Sequence, residues 1–165
     1  MKRFFLTLNA VLMAAVAIPA MASGPAAMLD DGTISLVMPA PPAKRVQEFK
    51  TGGGAAEMTE YMVKKDGVVF LMTCVDYPYE LSADFETLRE SFLDALGEAK
   101  VELEGSVKVN GASGYTFRVS QKGMVFVNHM FVSGKRMYQL IVVAPAGEPM
   151  PAAARDYIES FHLRS

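Results

Sequence analysis

The chain has 165 residues, 51% of them apolar and 21% charged, with no Trp, one Cys, two His and a formal charge of −2 from 16 basic and 18 acidic side chains. Such a balance fits one ordinary domain, and it excludes both a disordered polyelectrolyte and a cysteine-stapled scaffold. Much of the positive mean hydropathy, +0.20, sits in the first 22 residues.

Lys2 and Arg3 precede an apolar run from Phe4 to Ala17, and small residues at Ala20 and Ala22 stand −3 and −1 from Ser23. A charged start, an apolar middle and a small-residue exit predict a secretory signal peptide over 1–22, cleaved after Ala22. The run falls short of the roughly 20 residues that cross a bilayer, so no transmembrane anchor is expected after cleavage. The expected address is the bacterial periplasm or the medium. Loss of Lys2 and Arg3 leaves 14 basic against 18 acidic groups, a charge of −4. That argues against a nucleic-acid partner, whose phosphates select basic patches. With Cys74 alone, no internal disulfide is possible.

Residues 23–32 are small or acidic without period and read as a flexible lead-in, followed by a single α+β domain over 33–165. Thr33 to Met38 alternates as a strand and is stopped by Pro39, Pro41 and Pro42. A more polar strand, Lys44 to Lys50, leads into the flexible Gly52-Gly53-Gly54. Asp66-Gly67 between Glu57–Lys64 and Val68–Tyr77 is a hairpin signal. Both alternating sets of Val68–Val75 are apolar, which predicts a strand in the middle of a covered sheet.

Ser82 reads as an N-cap, Phe85, Leu88, Phe92 and Leu96 recur at helical spacing, and Gly97 stops a helix of about 15 residues. Three strands follow, Val101–Val109, Ala112–Ser120 and Met124–Val132, then a fourth from Arg136 to Ala144. After Pro149 and Pro151, the stripe Ala154, Tyr157, Ile158 and Phe161 predicts a docking helix. The expected fold class is α+β, an antiparallel sheet of six to eight strands with helices packed on its faces.

Several stretches together resemble a known superfamily: Ile34 to Pro39, Asp76-Tyr77-Pro78, Gly111-Ala112-Ser113-Gly114-Tyr115, Arg136-Met137-Tyr138-Gln139-Leu140 and Tyr157-Ile158-Glu159-Ser160-Phe161. The superfamily joins the PsbP protein of photosystem II, the Ran-binding nuclear-import factor and bacterial exported domains, and the resemblance spans Thr33 to Leu163. It implies a PsbP-like α/β/α sandwich and a habit of binding other proteins. It implies no catalytic residues.

Cys74 lies in the most apolar strand, where a thiol packs as a small hydrophobe; a nucleophile with His129 as base would need an electropositive setting. Nine methionines follow residue 22, and softness makes Met58, Met62 and Met130 with His129 a candidate copper set, set against plain core packing. Gly52–Gly54 lacks the Lys-Ser/Thr of a phosphate loop. The carboxylates Glu57, Glu60, Glu102 and Glu104 read as solvated strand faces. Asp76, Tyr77, Tyr79 and Glu80 sit where a central strand meets a helix, and they are either a binding rim or the cap of a sheet.

The expected function is a soluble, exported, non-enzymatic accessory or assembly factor without a cofactor. Its contacts would be the Asp76–Glu80 rim and the Gly52–Gly54 loop, and its partner another exported or membrane-associated protein. The alternative is a periplasmic small-ligand or copper-binding module using the Met/His set.

Overall fold

In the computed structural model the described residues are 24–82, 84–97, 99–109 and 112–164. The segment 1–22, expected to be a signal peptide, and Asn110-Gly111 lie outside them. Strands β1 (Ala27–Asp30) and β2 (Ile34–Met38) pair antiparallel. Residues expected in the flexible lead-in therefore form a strand, with Ala27 opposite Met38 and Asp30 opposite Ser35. Asp31 shapes the turn between them by accepting from Thr33 N at 2.9 Å and Ile34 N at 2.9 Å.

The larger sheet contains β3 (Ala43–Thr51), β4 (Gly54–Lys65), β5 (Val68–Asp76), β6 (Lys100–Val109), β7 (Ala112–Gln121), β8 (Met124–Ser133) and β9 (Arg136–Pro145). Its order is β3-β4-β5-β9-β8-β7-β6, with every neighbouring pair antiparallel. Asp66-Gly67 makes the expected hairpin: φ is 51° and 77°, the two positive angles of a type I′ turn. Lys122-Gly123, at 47° and 75°, repeats it between β7 and β8. β5 is third in the order and is buried on both faces, as its double apolar pattern requires.

Helix α1 (Phe85–Leu96) connects β5 to β6. Asp84 rather than Ser82 is its N-cap, accepting from Thr87 N at 3.2 Å and from the Thr87 hydroxyl at 2.7 Å. Gly97, at φ 77°, closes it by donating to Leu93 O at 2.9 Å. Helix α2 (Ala152–Glu159) and the short β10 (His162–Leu163) end the described chain.

The α+β expectation, an α/β/α sandwich with helices layered on both faces, is overturned. Among the described residues there are two short helices, of 12 and 8 residues, and the fold is dominated by antiparallel strands. One face of the large sheet is covered mainly by a second sheet, ordered β1-β2-β10, with α2 beside it. The physical reason lies in two places. Pro39, Pro41 and Pro42 have no N–H for a ladder, so β2 leaves the large sheet and lies across it. At the other end α2 stops at Glu159, so Phe161 docks from outside the helix and His162 and Leu163 pair with Ser35 and Ile34.

The core under the small sheet joins Ile34, Leu36 and Met38 to Phe70, Met72, Leu140, Tyr157 and Phe161. The Tyr157 ring meets Phe70 edge-on at 5.5 Å, and its hydroxyl donates to Leu71 O at 2.7 Å. The opposite face packs Met58, Leu71, Val75, Phe117, Met130 and Ile141 beneath Phe92 of α1. Phe92 and Phe117 meet at 4.9 Å.

Candidate functional site

At the end of β5 the chain turns away from the sheet at Asp76, Tyr77 and Pro78. Asp76 stands directly opposite Arg136 of β9. The Arg136 guanidinium donates to both Asp76 oxygens, with Nη2 to Oδ2 at 2.8 Å, and its Nη1 donates to Thr33 Oγ1 at 2.7 Å. Asp31 Oδ2 is 4.0 Å from the same nitrogen. This bidentate pair ties the large sheet to the start of β2, so the Asp76 carboxylate is committed to the fold rather than offered to a ligand.

Tyr77 is held by its backbone, its N donating to Lys135 O at 2.9 Å. Its ring meets Phe49 edge-on at 6.4 Å and Tyr79 at 5.6 Å. Burial pushes the Tyr77 hydroxyl up to about 12, so it stays protonated. The Tyr79 ring lies directly on Gly53, where a Cβ would stand 2.4 Å from Cδ1. Pro78 covers Gly54 in the same way, at 3.2 Å from a Cβ built there. The two regions singled out in the sequence, Asp76–Glu80 and Gly52–Gly54, therefore form one corner of the molecule. The glycine loop is a tight turn, with Thr51 paired to Gly54 and its hydroxyl donating to Gly54 O at 2.7 Å. Pro78, Glu80 and Gly52–Gly54 are exposed, and Tyr79 is half-buried.

The candidate copper set is dispersed. Met58 and Met130 face α1, but β5 and β9 lie between their strands, and three strand spacings are about 14 Å. Met62 is four residues along β4 from Met58, about 13 Å at strand rise. His129 points to the opposite face, since Met130, its neighbour on the strand, belongs to the α1 side. Among the described residues no three His, Cys, Asp or Glu side chains are grouped to hold a metal ion. Burial pushes the Cys74 thiol up to about 12 and His129 down to about 4, which leaves both neutral at pH 7. That chemistry is opposite to what a thiolate–imidazolium pair needs.

Glu60, expected on a solvated strand face, is instead buried in a polar group whose other members strand alternation did not single out. Glu60, Thr73 and Gln139 are directly opposite one another in a row across β4, β5 and β9, all at most 5% exposed. Burial raises the Glu60 carboxyl above its usual range, against the opposing pull of Arg45. Asn128, on the same face between Phe117 and Ile141, is fully buried with neither amide atom hydrogen-bonded. The signal was present in Phe126, Asn128 and Met130, where a polar residue holds a position of the inward period. Replacing Asn128 with leucine removes two unpaired buried polar atoms, and we expect unfolding in urea to require about 1 kcal/mol more. An unchanged or lowered midpoint would contradict the unpaired state of the amide.

The chain matches no family model and no curated protein. A crystal structure from Bacteroides thetaiotaomicron is similar over 86% of this chain at 15% identity and a TM-score of 0.45. The match spans about half of that protein, 49%. Among the described residues no helix is long and apolar enough to cross a membrane.

Proposed function

We propose that the protein is an exported, non-enzymatic accessory factor that binds another exported or membrane-associated protein through the corner formed by Tyr77–Glu80 and Gly52–Gly54. The observation that carries this reading is the seating of Tyr79 on the Gly53 backbone. It holds an aromatic ring, a proline and a carboxylate side by side at one end of the sheet, and a pre-ordered aromatic loses little entropy on binding. The partner class comes from the PsbP-like resemblance, which implies protein binding and no catalytic residues. The neutral state of the buried Cys74 and the half-buried His129 supports the absence of nucleophilic chemistry.

The test is a photo-crosslinking residue placed at Glu80 in the producing cell, with one at Glu159 on α2 as control. A discrete adduct at Glu80, absent at Glu159 and weakened roughly tenfold or more by Tyr79→Ala, is the expected result. Equal labelling from both positions, or none from Glu80, would remove the corner from consideration.

A further inference from the structure

The two edges of the large sheet are treated differently. On β6 the ladder is interrupted by an irregularity between Val101 and Leu103, and its acids are used within the chain: Glu102 pairs with Arg118 at 2.8 Å, and Glu104 with Arg89. Bulges, prolines, short length and charged side chains are the usual protection of a sheet edge, and charges protect least where a second copy can match them with opposite ones. The edge strand β1 is protected by being only four residues long. β3 has no bulge, and among the described residues only Arg45 of its charges is committed within the chain, to Gln47 Oε1 at 3.0 Å and Glu60 Oε2 at 4.0 Å. Its nine pairs with β4 run unbroken from Ala43 to Thr51, it contains no proline, and its first four residues are all exposed. Val46, near its centre, is 50% exposed and is one of two exposed large hydrophobic residues among those described.

The charges around Val46 are self-complementary. Lys44 and Glu48 flank it at two residues on either side and share its face of the strand. Among the described residues neither has an ion-pair partner, the Lys44 ammonium lying instead 5.5 Å above the Tyr61 ring. We propose that two copies of this chain join edge to edge through β3, antiparallel about a twofold axis perpendicular to the sheet and centred on Val46. The axis keeps equivalent faces on the same side, so opposite residues must have the same parity. Val46 then meets Val46 of the partner subunit, while Lys44 meets Glu48 of the partner subunit, and Glu48 meets Lys44 of the partner subunit. On the other face Arg45 stands opposite Gln47 of the partner subunit.

Seven residues, Ala43 to Phe49, pair in this register, and no like charges oppose one another. Centring on Gln47 would set Lys44 against Lys50, centring on Arg45 or Glu48 would set that residue against itself, and like charges directly opposite are unfavourable. Centring on Phe49 avoids this but keeps only the five residues from Gln47 to Thr51 within the strand. Pro42, which cannot donate to a ladder, ends the favoured pairing just beyond Ala43.

The experiment is sedimentation velocity on the protein purified from the cells that make it, across about 1 μM to 1 mM. The expected result is a concentration-dependent doubling of mass that weakens with added salt. Glu48→Lys and Lys44→Glu, both at surface positions, should each weaken association roughly tenfold or more, because each sets two like-charge pairs on the seam. Mixing those two variants, or combining them in one chain, restores opposite charges and should restore the doubled mass. Circular dichroism confirms that each variant is folded. A monomer throughout the range, association untouched by Lys44→Glu, or failure of the swapped double variant to recover would each overturn the proposal.

Discussion

Truncation of Phe161 to alanine should lower the free energy of unfolding by about 3–5 kcal/mol. Phe161 is 3% exposed and stacks on Phe131 at 5.1 Å, with Tyr138 at 5.9 Å. It lies between α2 and β10, and it fastens the end of the chain to the large sheet. The loss combines the apolar area returned to water with the cavity left between two sheets that are each held internally by hydrogen bonds and cannot collapse fully. Denaturant unfolding measures the total. Amide exchange should show protection falling first at Ile34 and Ser35, the β2 residues paired with β10. Ile158→Ala, at a partly buried position of the same segment, should cost distinctly less. A Phe161 effect below about 1 kcal/mol would mean that the small sheet is not packed as described.

Acid should destabilise the protein through His129, by up to about 3 kcal/mol. The imidazole titrates near 6.5 in an unfolded chain, whereas burial lowers it to about 4 in the fold. Below pH 6.5 the unfolded chain therefore binds a proton that the folded chain does not accept. The stabilisation from a neutral His129 is complete above pH 6.5 and is lost as the pH falls through 4. Thr116 Oγ1, 3.3 Å from Nε2, is the imidazole's hydrogen-bond neighbour across the strand pair. Glutamine at position 129 is of similar length and does not titrate, so the difference between wild type and His129→Gln isolates this contribution from the carboxylates. Stability measured from pH 7.5 to 4 should diverge between the two proteins below pH 6.5. Parallel curves would show that the imidazole is hydrated in the fold.

Glu60 works in the other direction. Its carboxyl is raised by burial, so the stability it contributes is present below its unfolded value and declines as the pH rises through its folded one. It partly masks the His129 effect in the wild-type profile and cancels in the comparison with His129→Gln.

Much of the local structure was legible in the residues. Asp66-Gly67 accepts two positive φ angles, the doubly apolar run after it must sit between neighbours, and Gly97 ends α1; each is a property of a few adjacent side chains. The identity of the layers was not legible. Ile34, Leu36 and Met38 alternate equally well whether β2 extends the large sheet or crosses over it. Likewise the stripe through Phe161 reads as helix even though α2 ends before it. The PsbP-like resemblance carried the same ambiguity, since its motifs are strand ends, turns and docking segments, and the sandwich it implied does not describe these layers.

The candidate site divides along the same line. That Asp76, Tyr77, Tyr79 and Glu80 stand at a strand end follows from sequence, whereas Gly52–Gly54, expected to be flexible, forms a tight turn packed under Tyr79 and Pro78. Their meeting in one corner depends on β3, β4 and β5 lying side by side, and the commitment of Asp76 depends on Arg136, 60 residues away. The copper set failed for the converse reason: Met58 and Met130 have the right chemistry, but the strand order puts β5 and β9 between them. Periodicity and turn chemistry act over a few residues, so the sequence by itself determined β2, the strands of the large sheet, their hairpins and α1, but not β1 or β10. Strand order, the small sheet that covers one face, the burial of Glu60 and Asn128 and the half-buried setting of His129 arise from contacts between residues distant along the chain, and only the tertiary structure decided them.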